Sequence, residues 1–240
     1  MLTAMLQSVL DTIYPHHCAS CDTALAEAGL CGACWAATPF ISGITCPHCG
    51  VPLPGEGEPG PCDECLSHPR PWGRGAAAMV YADKAKRIVL GLKHGDRSDL
   101  VGPAAGWMAR AGRSLMTSET ILVPVPIHWT RRIQRRYDQA ALLAKEIARQ
   151  EGLDWAPRAI GRQRKTPAQD DKPVARRFSD LEGAIAPHPK RGEALAGRHV
   201  VVVDDVMTSG ATLAATTQAC RAAGAAHVDV LVLARAVRAP

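Results

Sequence analysis

Eight of the nine cysteines fall between Cys18 and Cys65, in four Cys-x-x-Cys pairs: Cys18/Cys21, Cys31/Cys34, Cys46/Cys49 and Cys62/Cys65. Two thiolates separated by two residues grip one tetrahedral ion from a tight knuckle, and two knuckles close a four-cysteine site. The alternative is a disulfide framework. No Lys or Arg precedes the first apolar stretch, and Asp11 interrupts it, which is not the pattern of a secretory leader. The expectation is therefore a cytoplasmic chain with reduced thiols and two structural Zn2+ sites. Sequential pairing gives two stacked zinc ribbons and is the favoured arrangement; a cross-brace, first knuckle with third and second with fourth, is the other. With eight thiols present, His17 and His48 read as neighbours of the sites rather than ligands. Cys220, among alanines on an expected helix, reads as a buried core thiol.

Charge divides the chain at the same place. Residues 1–70 contain one basic residue, Arg70, against seven acidic ones, while the whole chain of 240 residues carries a net charge of +5. Lys and Arg supply most of the affinity for a phosphate backbone, so the cysteine-rich half is poorly suited to nucleic acid. Residues 128–177 hold thirteen basic and six acidic residues, with Arg131, Arg132, Arg135 and Arg136 clustered. Such a run is either a solvated face or a surface for diphosphate or single-stranded nucleic acid. Five Trp, three Tyr and two Phe leave little for a base-stacking platform. No window approaches the ~20 uninterrupted apolar residues of a membrane span.

Leu2, Met5, Leu6, Val9, Leu10 and Ile13 recur at helical spacing and predict an opening helix. Residues 51–61, dense in Pro and Gly, form loop inside the second cysteine module. His68-Pro69-Arg70-Pro71 reads as a linker, dividing an N-terminal helix and double zinc ribbon (1–68) from a second domain (72–240). In that domain short apolar runs alternate with helical patterns. Strands are expected at 75–81, 121–125, 199–204 and 228–234. Helices are expected at 83–92, from Pro103 to about 116, at 137–150 and at 210–223. This alternation predicts an α/β domain with a mainly parallel sheet flanked by helices.

The sharpest segment is Val200-Val201-Val202-Val203-Asp204-Asp205-Val206-Met207-Thr208-Ser209-Gly210-Ala211-Thr212. Four β-branched residues predict a strand buried on both faces. Two acids stand at its carboxyl end, where open α/β sheets bind ligands. The turn that follows enters a helix, whose free N–H groups and hydroxyls suit an anion. Gly210 would let the backbone come close to that anion. Two carboxylates beside a phosphate cradle fit a ribose 5-phosphate, with the acids accepting from vicinal hydroxyls. The order excludes a Walker A loop, and no Gly-x-Gly-x-x-Gly is present at this turn. The ordinary reading is a helix capped by Ser or Thr.

This segment resembles the phosphoribosyl pyrophosphate (PRPP) motif of type I phosphoribosyltransferases. With the four cysteine pairs, the chain resembles the competence protein ComF family over nearly its whole length. Leu10 to Pro15 resembles the family's opening helix, and Leu92-Lys93-His94-Gly95-Asp96 its Lys-aromatic-Gly segment. Val123-Pro124-Val125-Pro126, the arginines after it and Gln139-Ala140 are similar to its pyrophosphate loop and following helix. Arg164-Lys165-Thr166-Pro167-Ala168-Gln169, with Arg177 and Gly183-Ala184, resembles its mobile segment. The chain departs from the family at Arg136-Tyr137-Asp138, where Gly-Phe-Asn is usual, at Asp180 for Asn and at Ile185 for Phe.

The resemblance implies a type I phosphoribosyltransferase-like domain binding PRPP with Mg2+. Asp204 and Asp205 would hold the ribose hydroxyls, and Thr208, Ser209, Gly210, Ala211 and Thr212 would wrap the 5-phosphate. Val125 and Pro126 would lie against the diphosphate, with Arg164 and Lys165 closing over it. Two readings follow: a transferase passing phosphoribosyl to an acceptor the sequence does not identify, or a non-catalytic PRPP-sensing or competence factor handling single-stranded DNA. A competence helicase or another protein is a further partner the resemblance implies.

Overall fold

The computed structural model describes residues 16–93, 97–127, 138–164, 178–181 and 183–237. The expected opening helix, His94, His128, Arg131, Arg132, Arg135, Arg136, Lys165 and Arg177 lie outside these residues. The cysteine-rich half contains a strand pair, β1 (His16–His17) and β2 (Ala24–Leu25), and two short helices, α1 (Gly32–Ala37) and α2 (Asp63–Ser67). Then follow β3 (Gly75–Val80), α3 (Asp83–Lys93), α4 (Val101–Ala111), β4 (Ile121–Pro124), α5 (Gln139–Glu151), β5 (Asp154–Trp155), β6 (Ile160–Arg162), β7 (Ile185–Pro187), β8 (His199–Met207), α6 (Ala211–Ala222) and β9 (His227–Arg235).

Five strands form one sheet in the order β3-β9-β8-β4-β5, and every neighbouring pair is parallel. The expected α/β domain with a parallel sheet is what the chain forms. Its centre is β8, whose Val200 to Val203 are fully buried. Burying one such side chain contributes about 1.5–3 kcal/mol relative to leaving it exposed. Alternate residues serve opposite layers. Val201, Val203, Leu231 and Leu233 pack with Ile88 of α3, Met108 of α4 and Leu143 of α5. Val200, Val202, Val228 and Val230 pack with Leu213 of α6, with Ile160 and Ile185 of the antiparallel β6–β7 pair, and with the second cysteine module.

That module is part of the sheet's cover. Cys46, Cys49, Val51 and Cys65 belong to the same apolar cluster as Trp72, Ala77 and Val230. The N–H of Gly75 donates to Pro47 O at 2.8 Å, and a Cβ at Gly75 would collide with the carbonyl of His48. Only glycine lets the module's backbone lie this close to β3. The first module touches the opposite layer, where Ala19 packs with the α3–α4 cluster and Arg97 donates to Asp22 Oδ1 at 2.6 Å.

Two boundaries differ from expectation by three residues or more. The helix opened near Pro103 ends at Ala111, and a single 3-10 turn covers Arg113–Leu115. The strand expected to stop at Asp204 runs on to Met207, because Val206 and Met207 remain paired with Ala234 and Arg235 of β9. No helix among the described residues is long and apolar enough to cross a membrane.

Candidate functional site

The eight clustered cysteines gather as two quartets, Cys18/Cys21/Cys31/Cys34 and Cys46/Cys49/Cys62/Cys65, so the pairing is sequential. The sulfurs of Cys21 and Cys31 are 3.7 Å apart, and those of Cys49 and Cys62 are 3.6 Å apart. A tetrahedron with Zn–S of about 2.3 Å needs sulfurs about 3.8 Å apart, so the donor set fits zinc. Backbone N–H groups point at the sulfurs, from Cys31 to Cys18 Sγ and from Cys62 to Cys46 Sγ, each at 3.4 Å. In the second quartet burial raises the Cys46 thiol, but N–H donors from Cys62, His48 and Cys49 outweigh it and bring it down to about 7. Burial pushes Cys65 up to about 11. One thiol of the set is therefore ready to ionise ahead of its partner, and a bound dication supplies the charge that lets the others follow. His48 is not among the atoms that gather in either quartet; its Nδ1 bonds Gly73 O at 2.9 Å and its carbonyl accepts from Trp72 Nε1 at 2.6 Å. Cys220 is fully buried in the core, and burial raises its thiol to about 12.

The second candidate site lies at the carboxyl end of β8. Asp204 and the turn from Thr208 to Thr212 line one small pocket. Desolvation, first, and the neighbouring charge of Asp205, second, hold the Asp204 carboxyl well above the usual carboxylate range. The N–H of Asp205 donates to Asp204 Oδ1 at 2.9 Å. Asp205 is paired with Lys93 Nζ at 3.2 Å. Lys93 is the last residue of α3, whose end is tied to α5 by Gln139 Nε2 donating to Leu92 O at 3.2 Å. Sequence reasoning noticed Lys93 but found no role for it; the pairing with Asp205 supplies one. Asp138 caps α5 by accepting from Ala141 N at 3.1 Å. Asn and Asp cap equally well, so this family departure preserves the helix start.

Val125 lies beside the acids, since β4 pairs with β8 through Pro124 and Val203, and Val125 N donates to Val203 O at 2.9 Å. Arg164 follows β6 and is not among the residues lining the turn's pocket. Gly210 has φ +79, but a Cβ there would meet Trp72 Cη2 at 3.0 Å and Arg70 Nη1 at 3.2 Å. The glycine is thus demanded by the turn's conformation and by the residues behind it. Sequence reasoning had assigned it to the anion's side.

Sequence reasoning also missed Arg70, Glu64 and Arg235. Arg70 Nη1 donates to Ser209 O at 2.7 Å, and its Nη2 to Glu64 Oε1 at 2.9 Å. Glu64 Oε2 accepts from Arg235 Nη2 at 2.7 Å, and Arg235 Nη1 donates to Thr208 O at 2.8 Å. The one available signal was Arg70 itself, alone in an acidic half.

Comparison with known proteins matches two parts of the chain to family models. Residues 9–66 match the double zinc ribbon domain, and residues 138–239 match the phosphoribosyl transferase domain. The DNA utilization protein YhgH of Salmonella typhi is 34% identical over 220 residues, covering 88% of this chain and 92% of its own. Competence protein F of Haemophilus influenzae is 25% identical over 217 residues, covering 88% and 93%. A solved structure described as the allosteric regulatory enzyme of purine biosynthesis aligns with a TM-score of 0.40 at 16% identity, over 60% of this chain and 30% of that one. Two quartets of cysteines in the ribbon region, a phosphoribosyltransferase domain behind them and relatives matched over 88% of the chain place it in the ComF/YhgH family.

Proposed function

We propose that the chain binds PRPP, with Mg2+ as the diphosphate's counter-ion, at the carboxyl end of β8. One observation carries the reading: Asp204 and the Thr208–Thr212 turn line a single pocket, with Asp205 next to Asp204 in the chain and Val125 N bonded to Val203 O beside them. Asp204 and Asp205 accept from the ribose hydroxyls, and the turn's N–H groups and hydroxyls hold the 5-phosphate. Val125 and Pro126 carry the diphosphate. Mg2+ keeps waters and substrate phosphates in preference to a protein cage, and it spreads the diphosphate's charge. Lys93 pairs with Asp205 and orients its carboxylate until ribose hydroxyls take the place of the ammonium. In a transfer, the C1–O bond breaks, the electron pair leaves with diphosphate, and the acceptor's lone pair forms the new bond at C1. Arg164 and Lys165 would stabilise the departing charge and exclude water. Two zinc ions held by the cysteine quartets complete the protein.

Calorimetric titration with PRPP and Mg2+, beside Asp204→Asn and Asp205→Asn, tests the reading. Micromolar binding by the wild type, lost in the variants, is expected; no binding by the folded, zinc-loaded wild type overturns it. The names of the relatives, DNA utilization protein and competence protein, favour a second reading in which the same fold handles single-stranded DNA through the basic 128–177 stretch, with a helicase or similar protein as partner. Binding of an oligonucleotide that weakens steeply with salt, without diphosphate release, would select it.

A further inference from the structure

We propose that Arg70, Glu64 and Arg235 form a brace by which the second cysteine module sets the shape of the phosphate-binding turn. The proposal rests on the PRPP reading for the identity of the ligand, though not for the existence of the brace.

The contacts run in one chain. Arg70 Nε donates to Cys65 Sγ at 3.4 Å, and Nη1 donates to Ser209 O. Glu64, on the same short helix as Cys65, joins Arg70 to Arg235. Arg235 Nη1 reaches Met207 O at 3.2 Å as well as Thr208 O. Three successive carbonyls of the turn, those of 207, 208 and 209, are thus held by two arginines. Both arginine side chains are 2% exposed, so neither geometry is a chance surface contact. The indole of Trp72 and the Arg70 guanidinium fill the space where a Cβ of Gly210 would lie.

The consequence follows from peptide geometry. In a trans peptide the carbonyl of one residue and the N–H of the next point in opposite directions, and no cis bond occurs among the described residues. Holding the carbonyls of 207, 208 and 209 on the ribbon side turns the N–H groups of Thr208, Ser209 and Gly210 to the other side. An anion cradle needs converging N–H groups that do not have to reorganise when the anion arrives. The brace supplies that order in advance. Arg70, the one basic residue of the acidic half, is therefore a positioning residue for a site formed 139 positions further along the chain.

The test uses the full-length, zinc-loaded protein in three variants: Arg70→Gln, Arg70→Lys and the isosteric Glu64→Gln. Zinc content, PRPP affinity by calorimetry and amide hydrogen exchange of the peptide spanning 207–214 are measured together. Arg70→Gln is expected to keep both zinc ions, to exchange faster across 207–214 without ligand, and to bind PRPP roughly ten- to a hundredfold more weakly, the loss of a charged hydrogen bond. Arg70→Lys recovers part of both effects by restoring one donor. If Arg70→Gln loses zinc or fails to fold, Glu64→Gln carries the test with the same expected signs. Unchanged exchange and unchanged affinity in a zinc-loaded variant overturn the brace. Absence of PRPP binding by the wild type overturns the ligand reading alone, and the exchange measurement then decides the brace.

Discussion

Asp204 is a carboxylate in a place that penalises charge. Its burial and the charge of Asp205 raise its pKa well above the ordinary value, so the folded protein holds this proton to higher pH than the unfolded chain does. Between the unfolded and folded values the native state binds more protons, and stability falls as pH rises through that window. Asp204→Asn removes the penalty, and its amide oxygen can still accept from Asp205 N. The variant is expected to melt higher than the wild type by a few degrees at pH 7, with ~2–4 °C for each kcal/mol gained in a chain this long. The gap should widen as pH rises from about 4, where an unfolded Asp ionises. Thermal scans across pH check this, and a variant that melts lower than the wild type at every pH refutes it. Asp229 is surrounded differently. It is fully buried at the other end of the sheet and accepts from Arg74 N at 2.6 Å, His227 Nε2 at 3.0 Å and His199 Nε2 at 3.1 Å. The ligating atoms of the three side chains lie within 4.8 Å, near enough for a divalent ion, yet the carboxylate already has these N–H donors and the Arg74 guanidinium at 3.4 Å. Asp229→Ala leaves those donors without an acceptor and should cost ~2–4 kcal/mol in denaturant unfolding, with PRPP affinity unchanged in the folded fraction. A loss of affinity as large as that of the Asp205→Asn variant would show that the two ends of the sheet are coupled.

At the scale of elements, much of the fold was legible because burial writes itself as composition. Val200 to Val203 could only be an inner strand, and the Ala, Leu and Ile face of α5 could only be a helix. The strand's last residues were not legible: Asp is a poor strand former, so the reading stopped at Asp204, while pairing with β9 carried the strand on to Met207. The pair β6–β7 was missed because each strand is three residues long and joins residues more than twenty positions apart, with Gly161 and Arg162 in one partner. The turn was legible as a strand-to-helix turn, but the reason for its glycine was not. That reason is tertiary, and it makes a prediction for the turn as an element. Gly210→Ala must place a Cβ at positive φ and against Trp72 and Arg70, so it should destabilise by ~1–3 kcal/mol. Faster amide exchange at the start of α6, where Ala214 N donates to Gly210 O, would accompany it. A variant with wild-type stability and exchange would mean that the turn tolerates a side chain there.

For the whole molecule, the two cysteine quartets are alike in sequence and unlike in setting. Cys46, Cys49 and Cys65 lie inside the apolar cluster that covers one face of the sheet, whereas Cys21 is exposed. The first module is tied to the rest partly through the Arg97–Asp22 pair, in which the Asp22 side chain is 75% exposed, and exposed pairs contribute little. The spacing of the cysteines announced both sites equally and could not tell them apart, because what distinguishes them is that only the second quartet has cysteines inside an apolar cluster that covers the sheet. Loss of the metal should therefore have unequal effects. Cys21→Ser is expected to release one zinc equivalent and leave the main thermal transition within a few degrees of wild type, since the sheet keeps its cover. Cys65→Ser is expected to release the other equivalent, to lower the main transition by at least ~5 °C and to weaken PRPP binding, because the core and the Arg70–Glu64–Arg235 brace loosen together. Calorimetric scans with zinc quantified by mass spectrometry distinguish the two. Equal shifts in both variants would mean that the two modules unfold as one unit, and that the second has no special hold on the Thr208–Thr212 turn.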